Sequence, residues 1–302
     1  MLGWKKDLAR PSFFGLKKIT STSHISKKSR KLEARANRKL AVDALERRTL
    51  MAGDVVVSVI GAELHIQGDD EANAIAILRT PNTTAFQVVR TDVNTTINGS
   101  LSPYLATGVT GGFVIESGAG NDRLGIHGAS VNGPLKIDTG TDAGADSVNL
   151  VGVFVAGGLT LNTGSGVDVV SLVSVRIAGS STINTGTGND VLSVSMSRFV
   201  RSFDLNMGSG NDAFASSSSG FRESIRVEMG SGNDSVAIAS SVFHDSVGVD
   251  LGDGDDRMAL LFSRFDSLLT VDGGIGSDAL VKRFNQFLGG APSFTAFERF
   301  PW

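Results

Sequence analysis

The chain has 302 residues, a formal net charge of −3 and no Cys. Without Cys, a disulfide framework, a thiol nucleophile and a thiolate metal site are excluded. Gly accounts for 37 residues and Pro for only 6, a balance that favours many tight turns between strands over a flexible linker. The charge is unevenly distributed, since residues 1–50 carry 14 Lys/Arg against 4 Asp/Glu and the remainder carries 14 against 27. A basic arm therefore precedes an acidic body.

The basic arm, residues 1–53, has the composition of a leader rather than of a folded domain. Residues 1–30 are basic and polar, which is typical of disorder. Residues 31–48 predict a short amphipathic helix, with a solvated basic tail as the alternative. No apolar run is long enough for a standard secretory signal or for a membrane span. Aromatic residues are not interleaved with the basic ones, so nucleic-acid binding is not favoured.

The arm ends in a short motif, Leu45-Glu46-Arg47-Arg48-Thr49-Leu50, followed by Met51-Ala52-Gly53-Asp54. This motif resembles the LEPR-XLL segment near the N-terminus of many large planctomycete proteins, in which a basic leader precedes β-rich repeats. Arg47 stands where that family usually has Pro, and Met51 where it has the second Leu. The resemblance covers residues 1–53. It implies an exported protein with an extracytoplasmic body, at the cell surface or secreted, and says nothing about activity.

The acidic body opens with short strands and continues as a repeat. Residues 54–95 alternate apolar and polar side chains between turn residues, and predict an antiparallel β cap. Such a cap hides the edge strands of an open stack. A Gly-x-Gly-x-Asp turn then recurs every 22 residues after a first interval of 24, a period in the range of stacked-repeat proteins. Its aspartates are Asp122, Asp146, Asp168, Asp190, Asp212, Asp234, Asp256 and Asp278.

Apolar residues keep fixed places in this repeat, when positions are counted from the first Gly of each turn. Positions 7 and 9, and again 18 and 20, are mostly apolar, which is the two-residue spacing of strands with one buried face. Position 14 is Phe in the later repeats: Phe199, Phe221, Phe243, Phe265 and Phe287. We predict an all-β protein, a parallel β-helix of about eight 22-residue coils over residues 96–280. Residues 281–302 are rich in Phe and predict a C-terminal aromatic cap.

The Gly-Asp turn has two interpretations. Its carboxylates either accept main-chain N–H groups inside their own turn, or bind Ca²⁺ together with turn carbonyls. The turn resembles the nonapeptide calcium repeats Gly-Gly-x-Gly-x-Asp of RTX proteins, although the period is 22 rather than 9 and only Gly273-Gly274 has the additional Gly that precedes the turn in those repeats. The candidate Ca²⁺ ligands are the eight turn aspartates with Asp253 and Asp255. Gly252 to Asp256, with three carboxylates in five residues, is the strongest candidate site.

The sequence predicts no catalytic residue and no cofactor other than possible Ca²⁺. Arg side chains at position 13, together with Asp245 and Asp266, suit either a solvated outer face or the basic face of a polysaccharide lyase. We therefore expect an exported, non-catalytic structural or adhesion solenoid, with a carbohydrate-active β-helix enzyme as the alternative. The expected partners are a cell-surface polymer, a glycan or other surface proteins, with no nucleic acid and no transmembrane segment.

Overall fold

The computed structural model describes residues 53–81 and 84–298, which form an all-β structure without helices. The described residues all belong to one compact unit of the chain, Met51–Trp302. The predicted leader, its helix and most of the LEPR-like segment lie outside the described residues. Within the described ranges there is no helix long and apolar enough to cross a membrane.

Each coil contributes one strand to each of three parallel sheets. Sheet A follows the Gly-Asp turn and contains Arg123–His127, Ser147–Val151, Val169–Val173, Val191–Ser195, Ala213–Ser217, Ser235–Ala239, Arg257–Leu261 and Ala279–Arg283. Sheet B contains the two-residue strands Ser130–Val131, Phe154–Val155, Arg176–Ile177, Arg198–Phe199, Gly220–Phe221, Val242–Phe243, Arg264–Phe265 and Gln286–Phe287. Sheet C leads into the next turn and contains Phe113–Glu116, Leu135–Asp138, Leu159–Asn162, Ser181–Asn184, Phe203–Asn206, Ile225–Glu228, Val247–Asp250, Leu269–Asp272 and Ser293–Thr295.

The coils stack in register, and this confirms the predicted solenoid. Val148 pairs with Val170, and Leu150 with Leu172, one 22-residue repeat apart. The 24-residue first interval is absorbed in the turn before Asp146, because Val148 still lies opposite Leu124. Period-2 alternation in the strands points every second side chain inward, so the apolar columns form one continuous buried core.

The position-14 column forms the predicted aromatic stack. The rings of Phe221 and Phe243 have centroids 5.1 Å apart and planes within 5°, and those of Phe243 and Phe265 are 4.8 Å apart. Phe199 continues the stack in one direction and Phe287 in the other. Stacked, buried rings contribute stability beyond that of the apolar area they bury.

The N-terminal cap is built from antiparallel strands, as expected. Asp54–Ile60 pairs with Glu63–Gln67, and Ala74–Arg79 with Phe86–Arg90. The pairing continues past residue 95, because Tyr104–Ala106 pairs antiparallel with Phe86–Arg90, and Thr96–Ile97 pairs in parallel with Asp54–Ile60. Two cap strands also stack in parallel on the first coil, so the cap and the solenoid share sheets A and C.

At the C-terminal end, the predicted aromatic cap is partly a further coil. Ala279–Arg283 and Gln286–Phe287 continue sheets A and B, and Ser293–Thr295 adds to sheet C. Phe287, Phe294 and Phe297 pack partly buried against the core. Phe284 instead stacks on Phe262 outside the core. Phe300 and Trp302 lie outside the described residues.

Candidate functional site

The glycines of the Gly-Asp turn are required by the close approach of successive coils. Gly210 has a φ of 132°, a conformation that L side chains rarely adopt. A Cβ at Gly210 would overlap the carbonyl of Gly188 in the preceding coil. The first Gly of the turn is constrained in the same way, because a Cβ at Gly208 would overlap the carbonyl of Gly186. The turn is therefore a corner where main chain lies directly on main chain.

The eight turn aspartates are buried and form a single-file ladder. In each coil the Asp Oδ1 accepts the main-chain N–H of the Asp one coil earlier, at 2.7 to 2.9 Å. The N–H donor thus belongs to the preceding coil and not to the same turn. The ladder starts at the cap, where Asn73 N–H donates to Asp122, and ends where Asp278 N–H donates to Glu298.

A second ladder runs along the exposed side of the same turns. The side-chain oxygen of Asn211 accepts the N–H of Asn233 at 2.7 Å, and Asn233 accepts from Asp255 at 2.8 Å. Asp255 in turn accepts the N–H of Ser277 at 3.0 Å. Asp253 and Asp255 are exposed, whereas Asp256 is buried. The sequence-predicted cluster at Gly252 to Asp256 is therefore split between the outside and the inside of the coil.

The second carboxylate oxygen, Oδ2, lacks a hydrogen-bond partner in most of the buried aspartates. Oδ2 is buried without a hydrogen-bond partner in Asp122, Asp168, Asp190, Asp212, Asp234, Asp256 and Asp278. Burial disfavours the charged form, and it raises the pKa of Asp234 to about 7 and that of Asp212 and Asp256 to about 6. Near the cap, burial raises the pKa of Asp122 to about 7 and that of Asp146 to about 6.

The residue before each turn modulates this effect. Burial raises the pKa of Asp168, while the main-chain N–H of Asp146 and the hydroxyl of Thr163 act to lower it. Thr185 acts likewise on Asp190. From the next coil onwards this position holds Met207, Met229 and Leu251, which carry no donor.

No cluster of three or more His, Asp or Glu side chains arranged to hold a metal ion occurs within residues 53–81 and 84–298. In the ladder each Oδ1 already accepts a main-chain N–H, so Ca²⁺ at these turns would have to use Oδ2 or turn carbonyls. Calcium binding by the turn aspartates stays a prediction.

A charged corner lies where each coil passes from sheet B to sheet C. His244 Nδ1 lies 2.8 Å from Asp266 Oδ2, and Arg264 Nε donates to Asp266 Oδ1 at 2.5 Å. The Arg264 hydrogen bond is the main cause that lowers the pKa of Asp266. Two coils earlier, Arg201 pairs with Glu223 at 2.7 Å. Asp245 does not join this group, because its Oδ1 accepts the N–H of Ser246.

His244 was not predicted as a site residue from the sequence. The four His of the sequence, His24, His65, His127 and His244, share no metal-ligand spacing with one another. The signal for His244 is Asp266, which lies one 22-residue repeat further along the chain. Residues one repeat apart lie side by side on neighbouring coils.

A groove of about 520 Å³ lies over the outer face of sheet C. Arg226, Gly248 and Thr270 lie side by side across its floor, with Asp250 and Asp272 in a parallel row. Neither the backbone nor packing requires Gly248, because a Cβ there would meet only ordinary contacts at 3.7 Å and beyond. The missing side chain leaves a notch between Arg226 and Thr270.

The fold defines the chain as a parallel β-solenoid with an antiparallel cap. Comparisons with known proteins add no narrower class, since no family model, curated protein or solved structure matches the chain.

Proposed function

We propose that the chain is an exported, non-catalytic β-solenoid that acts as a spacer and adhesion module at a cell surface or in an extracellular matrix. The observation that carries the proposal is the use of the repeated residues. The turn glycines, the buried aspartates and the apolar columns all serve to stack one coil on the next. A repeat whose recurring residues maintain stacking is suited to presenting a long surface.

The outward-facing positions vary from coil to coil and supply the surface for a partner. At position 19 they include Lys136, Thr160, Asp204 and Arg226. The resemblance of the leader to the LEPR-XLL segment supports export. Ca²⁺ bound at the turns would add rigidity to the same role.

Export is tested on intact cells of the source organism. Antibodies raised against the solenoid should label unpermeabilised cells or detect the protein in the medium, and external protease should remove the signal. A cytoplasmic marker serves as the control. Labelling only after permeabilisation would refute the proposal.

Calcium is tested separately on the purified chain. If the turns bind Ca²⁺, EDTA lowers the melting temperature of the β signal in far-UV circular dichroism and added Ca²⁺ restores it. Identical melting curves with EDTA and with Ca²⁺ would remove calcium from the proposal and leave the spacer role intact.

A second candidate function is carbohydrate cleavage in the groove over sheet C. It is favoured by Asp250 and Asp272, which lie on adjacent strands beside Arg226. Two carboxylates on neighbouring strands, about 4.8 Å apart at their Cα atoms, are the groups that glycoside hydrolysis uses as acid and as base or nucleophile.

The test is the release of reducing ends from a panel of polysaccharides. Cleavage that Asp250→Asn and Asp272→Asn each abolish would establish this function, and Gly248→Thr should block it by filling the notch. Asp204→Asn, at an exposed position on the same sheet, is the matched control. Absence of reducing-end release across the panel, or release unaffected by the Asp variants, would eliminate this candidate.

A further inference from the structure

The corner between sheets B and C carries a groove of about 540 Å³, distinct from the one over sheet C. It is lined by Ala178, Val200, Arg201, Arg222, Glu223 and His244. Ala178, Val200, Arg222 and His244 occupy position 15 in four successive coils. The short side chains of the first two coils leave room on the groove floor, and the longer side chains of the next two bound it.

The charges in this groove are paired with one exception. Glu223 neutralises Arg201, and Asp266 is shared by His244 and Arg264. Arg222 is exposed, and within residues 53–81 and 84–298 its guanidinium makes no ion pair or side-chain hydrogen bond. Arg222 therefore presents an unneutralised, always charged set of donors. It lies between Arg201, which is paired with Glu223, and His244, which is paired with Asp266.

His244 supplies a second directed group. Because Asp266 engages Nδ1, it fixes the orientation of the imidazole ring and leaves Nε2 for a ligand. The charged groups around His244 are Arg222 and Glu223 on the preceding coil, Asp245 beside it, and Asp266 with Arg264 on the following coil. Asp245 Oδ1 accepts the N–H of Ser246, whereas Arg222 and His244, one coil apart at position 15, both line the groove.

We propose that this groove binds the anionic groups of an acidic polysaccharide, with Arg222 as the main contact and Arg201 and His244 beside it. The proposal rests on the proposed function and names its partner. Arg forms bidentate hydrogen bonds with a carboxylate or sulfate oxygen pair. Residues 51–302 carry 27 acidic against 14 basic side chains, so most of the body repels a polyanion, and the unpaired guanidinium of Arg222 is the group at this corner that attracts one. The groove is lined by four successive coils, so it runs along the stacking direction, which suits a polymer chain.

The test measures the affinity of the full chain for polygalacturonate, dextran sulfate and uncharged dextran by affinity electrophoresis, at low and at physiological salt. The first two probes separate carboxylate from sulfate. We expect at least one of them to bind and uncharged dextran not to bind. Arg222→Ala should weaken binding about 10-fold or more, the loss expected for a charge-assisted contact, and added salt should weaken binding of the unsubstituted chain. Arg222→Lys should recover part of the affinity, because it keeps the charge and loses the fork.

The matched control is Arg257→Ala, which removes an exposed Arg from sheet A, away from the groove. It should leave the affinity within about two-fold of the unsubstituted chain, and the circular dichroism of both variants should match that chain. Equal losses in Arg222→Ala and Arg257→Ala would overturn the proposal. Preferential binding of a DNA duplex over both polysaccharides would also overturn it. Because export is measured on intact cells, a failed binding test leaves the surface role standing, whereas a protein found only inside cells removes both.

Discussion

The solenoid has one main-chain design and two kinds of interior. In the first coils the core at position 14 is aliphatic, with Val131, Val155 and Ile177, and in the later coils it is a stack of phenylalanine rings. The residue before the turn changes from Thr185 to Met207 at nearly the same place. The Asp ladder and the turn glycines run through both parts unaltered.

The two parts also differ at the corner between sheets A and B. In the later coils the Ser219 hydroxyl accepts the N–H of Ser197, and Ser197 accepts from Val175. The first coils have Ala129 and Val153 at this place, so no side-chain hydroxyl accepts the main-chain N–H groups there. The comparison teaches that the stack tolerates different side chains wherever the main-chain contacts at the Gly-Asp turn are kept.

The first prediction breaks the feature that both parts share. Gly166→Ala and Gly232→Ala each place a Cβ against a carbonyl of the preceding coil at a φ near 130°. Both should destabilise the fold by similar amounts, about 4 kcal/mol or more, measured by urea unfolding. Gly220→Ala is the matched control, because no atom lies within 4 Å of its Cβ position. It should be neutral or stabilise by about 0.5–1 kcal/mol. Unequal losses at Gly166 and Gly232 would contradict a common main-chain design.

The second prediction compares the two interiors directly. Phe221→Ala should cost about 3–5 kcal/mol and Ile177→Ala about 2–4 kcal/mol. The larger loss has two sources, the greater volume of the ring and its stacking on both Phe199 and Phe243. Double variants with Phe243→Ala should show coupling of about 0.5–1.5 kcal/mol. Strict additivity of Phe221→Ala and Phe243→Ala would mean that the rings contribute by burial alone.

The third prediction concerns the charge state of the ladder. The folded-state pKa of Asp234 is about 7 against 3.8 for an ordinary Asp. Because the folded pKa is raised, its contribution to stability is fully present below pH 3.8 and is lost as the pH rises through about 7. The chain should therefore be more stable at pH 5 than at pH 8, with Asp234 contributing about 2–3 kcal/mol of that difference.

Urea midpoints at the two pH values test this prediction. Asp234→Asn keeps Oδ1 as acceptor for the N–H of Asp212 and cannot ionise, so it should shrink the difference between pH 5 and pH 8. Asp204→Asn, at an exposed site on sheet C, should leave the difference unchanged. A chain that is more stable at pH 8 than at pH 5 would show that the ladder is stabilised as carboxylate, by a cation or by water.

The sequence predicted the fold because a 22-residue period with paired apolar columns leaves few ways to bury them. It also located the Phe stack and the turn glycines. It could not show which coil supplies the N–H to each Asp, since an N–H within the turn and one from the preceding coil fit the same residues. The direction of a side chain at a corner is likewise not encoded by period. The contact between His244 and Asp266 could have been predicted, because the two residues are one 22-residue repeat apart.

The smallest expected effect comes from exchanging one residue between the two parts. The hydroxyl of Thr185 has a single proton, which it donates either to the carbonyl of Met207 at 2.9 Å or, after rotation, to the carboxylate of Asp190, whose pKa such a hydrogen bond acts to lower. Met229→Thr should place a hydroxyl in the same relation to Asp234, and should reduce the stability difference between pH 5 and pH 8 by about 1 kcal/mol. Met229→Leu keeps the volume without the hydroxyl and should leave the difference unchanged. Because the loss of Met packing lowers stability at every pH, the informative quantity is the difference between the two pH values. Equal differences in the Thr and Leu variants would show that the hydroxyl of the first coils does not tune the ladder.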